Sequence, residues 1–197
     1  MQVDPGNLNE LLHWLQRSGA KPLYAPRLVS STYFDTRDLL MFIDTVEGST
    51  PRRKVRIRCY GNHGLNCSSD HFLETKETNE QGRRKASKSC PNWRSLEVSG
   101  LVDSQYGLCT TAVHVTYRRS YFGVHGVRMT VDQDLSYASL RGSGVSNQEF
   151  NDLALAVEVK APAHDSVDRL TNAFPFPVTK FSKYERAVAG LFPRFIV

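Results

Sequence analysis

"RRKVRIRCY", Arg52 to Tyr60, is the stretch whose reading decides the fold. Val55, Ile57 and Cys59 alternate with Lys54, Arg56 and Arg58, the period-two pattern of a β-strand with one apolar face. The three cations therefore share the other face. In an antiparallel sheet with one wet side they meet solvent. In a closed barrel with helices packed outside, they point into a lumen.

Composition narrows the classes. With 197 residues and 40% hydrophobic content, the chain reads as one domain over 1–197 with a real core. No signal peptide and no apolar run of about 20 residues is present, so a cytoplasmic protein is expected, with no transmembrane segment. Cys59, Cys67, Cys90 and Cys109 show no CxxC spacing, and the histidines form no HxxxH or HExxH pair. That disfavours a cysteine-based zinc site and a disulfide framework. The Asn66 sequon carries no weight without a secretion signal. Net charge is +5, with five cations between Arg52 and Arg58 and four between Arg83 and Lys88. An anionic partner follows: a nucleic acid, a phospholipid surface or a polyphosphorylated compound.

Along the chain, "NLNELLHWLQRSGAK" spaces Leu8, Leu11, Leu12 and Leu15 as an amphipathic helix, with Asn7 as cap and Gly19 as stop. "RLVSSTYF" reads as extended and "DTRDLLMFI" as a short helix or turn. Strands are predicted at 52–60, 71–78, 84–89, 112–122, 126–135 and 154–160, and helices in "DSVDRLTNAF" and "SKYERAVAGLF". The segment from Cys90 to Cys109 stays ambiguous. Successive strands with helices at the edges predict an α+β fold on an antiparallel sheet or barrel.

Charge recurs at alternate strand positions. Glu74 and Lys76 share a face in "FLETKET", as do Arg128, Thr130, Asp132 and Asp134 in "VRMTVDQD", and Glu158 and Lys160 in "LAVEVKA". In a barrel this pattern fills the lumen with cations and carboxylates, and unpaired buried charge is costly. A polyanion with a metal ion is the natural occupant.

"STYFDT", "KVRIRCYG", "FLETK", "YRRSYF", "VRMTVDQD", "AVEVK" and "KFSKYERA" fall in the order and approximate spacing of the VTC domain. This is the polyphosphate polymerase module of the vacuolar transporter chaperone complex, within the triphosphate tunnel metalloenzyme, or CYTH-like, superfamily. The chain resembles that family from about Gly6 to Leu191, most weakly over 89–112. The resemblance implies an antiparallel β-barrel with flanking helices. It implies phosphate contacts from Arg56, Arg58, Lys76, Lys88, Arg119, Arg128, Lys160, Lys180 and Lys183, with Lys85 the competing alignment for Lys88 and Arg119 selected over Arg118. Arg56, Arg58, Lys76, Arg119, Arg128, Lys160 and Lys183 would carry the catalytic charge stabilisation. Glu158 would bind Mn²⁺ or Mg²⁺, and Glu74 would contact the metal through water or position a cation, as would Asp132. Guanidinium forks fit phosphate oxygens and stay charged, and oxygen ligands suit these hard cations.

The implied reaction is phosphoryl transfer from ATP to a growing polyphosphate with release of ADP. Attack by water would make the same site a triphosphatase, and a non-catalytic module for polyphosphate is the third reading. Nucleic-acid binding is disfavoured, because strand aromatics such as Tyr33, Phe34, Tyr60, Tyr117, Tyr121 and Phe122 more often serve the core. A membrane-bound partner on the cytoplasmic face is compatible with the family. One departure stands out: the family's first strand, which carries a basic residue, is here reduced to "MQV" before "DPGNLNELL". The first barrel strand is thus expected to be truncated, leaving an open edge prone to self-association.

Overall fold

The computed structural model describes residues 1–61, 70–124, 126–141, 148–160 and 172–193. Asn66 and Cys67, and most of the helix expected at 165–174, lie outside the described residues. The fold is α+β. Ten strands are β1 (Gln2–Val3), β2 (Lys21–Asp35), β3 (Arg52–Tyr60), β4 (Phe72–Asn79), β5 (Gly82–Ser89), β6 (Leu101–Asp103), β7 (Gly107–Val124), β8 (Val127–Ser139), β9 (Glu149–Asp152) and β10 (Leu155–Lys160). Helices are α1 (Leu8–Arg17), α2 (Leu40–Glu47), α3 (Trp93–Ser99) and α4 (Lys183–Leu191). Among the described residues the strand order is an open path, β1-β10-β8-β7-β2-β3-β4-β5, with β6 on β7 and β9 on β8. The closed ring expected of a barrel is therefore not formed by these residues. β1 supplies only Gln2 and Val3, paired with Ala156 and Leu155, and β5 is exposed along its whole length. No helix among the described residues is long and apolar enough to cross a membrane.

Packing divides the chain into two compact units. The first comprises Met1–Leu28, Tyr117–Leu135 and Asn151–Phe181. Its core sets Leu11, Trp14 and Leu15 of α1 against Val127, Met129 and Val131 of β8 and Leu155 and Val157 of β10. The 3.6-residue period of α1 and the two-residue period of β8 and β10 place these side chains on facing surfaces. The Trp14 indole donates to the carbonyl of Ala173 at 2.7 Å. The cap differs from expectation: Asn7 makes no side-chain cap bond, and Asp4 instead accepts from the Gly6 amide at 2.8 Å, starting a 3-10 turn over Pro5–Asn7. Gly19, at φ 68°, ends the helix as its position predicts.

The second unit comprises Val29–Thr116, Ser136–Phe150 and Ser182–Val197. Phe34, Met41, Val55, Ile57 and Cys109 form its core, with Leu73, Trp93, Leu96, Leu101 and Tyr106 packed around them. Asp35 organises α2 from within the core. Its fully buried carboxylate accepts from the amides of Met41 and Phe42, both at 3.0 Å, so the helix start is satisfied by a side chain that precedes it by several residues. Asp35 also accepts the Tyr184 hydroxyl of α4. Ser182 caps α4 by accepting from the Glu185 amide. "SKYE" has the sequence of a capping box, and the Glu185 carboxylate accepts from Lys54 at 3.0 Å.

Candidate functional site

Register fixes what the cations of β3 face. Val55, Ile57 and Cys59 enter the core, as their alternation predicts. The arginine side is no solvent face: Arg58 is only 6% exposed. Across β2, β3, β4 and β5, Tyr33, Arg56, Glu74 and Ser87 form one row, and Ser31, Arg58, Phe72 and Ser89 the next. Lys54, Lys76 and Lys85 form a third across β3 to β5.

Glu74 is the centre of this cluster. Its Oε2 accepts from Arg56 Nε at 2.8 Å and from the adjoining guanidinium nitrogen at 2.6 Å, with Arg58 at 3.6 Å, while its Oε1 accepts from Lys85 Nζ at 2.6 Å. Burial alone would raise the Glu74 carboxyl, but Arg56 and Arg58, with the hydrogen bonds from Lys85 and Arg56, bring it down to about 2. Arg56 also donates to the Tyr33 hydroxyl at 2.8 Å. Tyr33 stacks on Tyr184 with ring centroids 5.0 Å apart. Burial would raise this phenol too, and it is nevertheless lowered by the charges of Arg56, Arg58 and Lys183. The positive potential thus outweighs desolvation at two neighbouring groups.

A second charged surface lies in the first unit. β8 and β10 pair so that Arg128 faces Lys160, Thr130 faces Glu158 and Asp132 faces Ala156, all on the side away from Met129 and Val131. Arg119 of β7 grips Asp132 in a fork at 2.6 and 2.7 Å. Burial would lower the Arg119 guanidinium, but the Asp132 hydrogen bonds dominate and raise it further, so it remains charged. Glu158 is looser: Lys160 approaches it at 3.3 Å and Arg119 at 3.8 Å, and its side chain is 47% exposed.

Each expected residue can now be placed. Arg56, Arg58, Glu74 and Lys76 gather on the β3–β4 face, and Lys183, at the start of α4, is close enough to act on Tyr33. Arg119, Arg128, Glu158 and Lys160 gather on the β7, β8 and β10 surface. Lys180 is exposed in the irregular segment before α4. Lys88 is displaced from its expected position, because it pairs across from Leu73 on the opposite face while Lys85 joins the Glu74 face. Both Glu74 oxygens are taken by cations, so a metal there would have to displace Lys85 or the arginines; Glu74 acts as their counter-ion. Sequence reasoning missed Ser31 and Tyr33 as arginine partners and Thr130 as a buried hydroxyl. Strand parity in "SSTYF" puts Ser31 and Tyr33 on one face, a signal that pairing with β3 would have made usable.

The opposite side of β2 carries another polar group. Ser30 and Thr32 hydrogen-bond the two ring nitrogens of His114 at 3.0 and 3.1 Å, and Thr32 donates to Glu97 at 3.2 Å. These residues line a small cleft with Ile57, Cys59, His71 and Trp93. Burial pushes His114 down to about 4, so its imidazole is neutral near pH 7.

No group of three or more His, Cys, Asp or Glu able to hold a metal is present among the described residues. Glu158 nonetheless fits a hard divalent cation that takes its other ligands from phosphate and water. It offers a half-exposed carboxylate beside the orphaned hydroxyl of Thr130.

These features define a class: an α+β chain on a mostly antiparallel sheet whose strands present arginine and lysine beside buried carboxylates. The sequence matches the VTC domain over residues 1–105 and 97–192, and the chain belongs to that family. The fold is similar to that of a "putative adenylate cyclase" from Bacillus halodurans, at TM-score 0.58 and 11% identity over 94% of each chain. A "putative adenylate cyclase" from Vibrio parahaemolyticus follows at TM-score 0.47 and 13% identity, over 87% of this chain and 80% of that one. A conserved hypothetical protein from Pyrococcus furiosus gives TM-score 0.47 and 14% identity, over 84% and 81%. No curated protein matches the sequence.

Proposed function

We propose that this chain binds the triphosphate of ATP with Mg²⁺ or Mn²⁺ and transfers its γ-phosphoryl group to a polyphosphate chain. The observation that carries the reading is the ion-pair cluster of Arg56, Arg58 and Lys85 around Glu74, in a member of the VTC-domain family. Guanidinium and ammonium groups held by a counter-ion are preorganised, so little reorganisation is needed when charge develops on the transferring group. A terminal phosphate oxygen of the acceptor forms the new bond to the γ-phosphorus, the bridging bond to the β-phosphate breaks, and its electron pair leaves with ADP. The cation, held by Glu158, would supply charge neutralisation on phosphate oxygens. Arg56 and Arg58 orient the oligophosphate, and Lys76 and Lys85 extend the positive surface beside them; by the family resemblance, Arg128 and Lys160 are phosphate ligands as well.

The exposure of Lys76, Lys85 and Glu158 gives water access and favours a triphosphatase as the second reading. Incubation of the chain with ATP and Mn²⁺, with and without a short polyphosphate primer, separates the possibilities. Polymerase activity yields ADP and primer-dependent chain growth. ADP with free phosphate alone would establish the triphosphatase, and cyclic AMP with pyrophosphate would show that the chain shares the chemistry named for the Bacillus halodurans protein. No turnover combined with tight polyphosphate binding would leave the non-catalytic module.

A further inference from the structure

Among the described residues three buried side-chain polar atoms lack a hydrogen-bond partner: Arg53 Nε, Arg141 Nε and Thr130 Oγ1. The arginines are engaged through other nitrogens, Arg53 with Asp103 and Ser104, Arg141 with the carbonyls of Thr36 and Arg37. Thr130 has only its one hydroxyl. The residue is 4% exposed, and a sealed hydroxyl without a partner carries a desolvation cost that a valine of the same shape would avoid. Among the described residues, buried hydroxyls elsewhere find partners: Ser30 and Thr32 in His114, Ser31 in Arg58, Thr45 in the carbonyl of Met41.

The position of the orphan is as telling as its condition. Thr130 lies between Arg128 and Asp132 on the polar face of β8 and directly across from Glu158, while Arg128 faces Lys160. Two like charges abreast on neighbouring strands repel, and an anion between them relieves that repulsion. Asp132 is committed to Arg119. Lys160 reaches the Glu158 carboxylate at 3.3 Å, so what this surface lacks is an acceptor for the Thr130 hydroxyl and a counter-ion for Arg128, and a phosphoryl oxygen supplies both.

We propose that Thr130 is a phosphate-binding residue, donating its hydroxyl hydrogen to an oxygen of an oligophosphate held by Arg128 and Lys160 beside the Glu158 carboxylate. The inference rests on the triphosphate reading and adds to it a neutral donor that discriminates by geometry as well as charge. Hydroxyl donation to a charged oxygen is directional, whereas a lysine ammonium accepts many anion poses.

The test uses the whole chain, inorganic tripolyphosphate and Mg²⁺, with Thr130→Val and Thr130→Ser as variants. Calorimetry should show the valine variant binding at least about tenfold more weakly, from the loss of one hydrogen bond to a charged group, and the serine variant close to the parent. Without ligand, the melting temperature of the valine variant should equal or exceed that of the parent, since the orphan is removed. Equal affinity of valine variant and parent would overturn the inference and leave the triphosphate reading standing. A valine variant that melts lower without ligand but binds normally would show a structural hydroxyl and also overturn it. A parent chain that binds no tripolyphosphate would overturn the triphosphate reading and this inference with it.

Discussion

Replacing Glu74 by glutamine removes one charge from the centre of the arginine and lysine cluster while keeping the side chain's size. The carboxyl moves from an ordinary 4.5 to about 2 in the folded chain. By linkage such a difference contributes about 3 kcal/mol at neutral pH. Lys85 is half exposed, so water compensates much of its loss. Arg56 and Arg58 are 21% and 7% exposed and would face each other without a counter-ion. An overall destabilisation of about 2–3 kcal/mol is expected, or roughly 4–12 °C in melting temperature for a chain of this size. The pH dependence gives the sharper test. Because the folded value is depressed, the stabilisation is fully present above about 4.5 and is lost as pH falls toward about 2. Urea unfolding of parent and Glu74→Gln at stepped pH should show a gap that narrows through this window. Tripolyphosphate should raise the melting temperature of the variant more than that of the parent, by supplying the missing negative charge. A gap that persists unchanged into acid, or no gap near pH 7, would refute the counter-ion argument.

Arg58→Ala should weaken binding of a non-hydrolysable ATP analogue by about 1.5–3 kcal/mol, read by calorimetry on a variant shown to be folded by circular dichroism. Glu158→Gln should abolish metal-dependent turnover while shifting the melting temperature little, because the side chain is half exposed; an unchanged response to Mn²⁺ would make Glu158 an ion-pair partner only. His114, depressed to about 4 by burial, favours the neutral native form, so its stabilisation is full above about 6.5 and declines as pH falls toward 4. His114→Gln should flatten that part of the stability profile, measured by urea unfolding. Gly190→Ala would place a Cβ 2.4 Å from the Phe150 ring and should cost about 1–3 kcal/mol in thermal unfolding, with Gly190→Ser at least as costly.

The strand character of β3, its apolar face and the spacing of the two arginines were legible because each depends on local alternation. Whether the arginine face was wet depended on distant partners: Lys54 meets Ser182 and Glu185, 128 and 131 residues downstream. The choice between Lys85 and Lys88 turned on one hairpin. Asn79 pairs with Gly82 across a two-residue turn, which places Lys85 opposite Lys76 and sends Lys88 to the other face. Reading "NEQG" as that turn would have assigned the two lysines to their faces from sequence. Strands of three or four residues, β6 and β9, are too short for periodicity to register. Thr130 looks like any strand threonine until its neighbours are in place, since an unsatisfied hydroxyl is a property of packing. The resemblance to the VTC domain supplied what local pattern did not, pointing to Arg119 over Arg118. The structure sets Arg119 on Asp132 and leaves Arg118 on the exposed Asp134.

The contacts of α4 with early strands bear on the order in which the protein becomes competent during its synthesis. Tyr184 stacks on Tyr33 and donates to Asp35, 149 residues upstream, and Glu185 holds Lys54. At translation rates of about 5–20 residues per second, the ribosome spends on the order of ten seconds between producing Lys54 and its partner. During that interval Tyr33 and Lys54 emerge without these partners. The packing of Tyr33, Asp35 and Lys54 is therefore completed only when one late helix arrives, whereas Glu74 follows Arg56 and Arg58 closely enough to pair with them early.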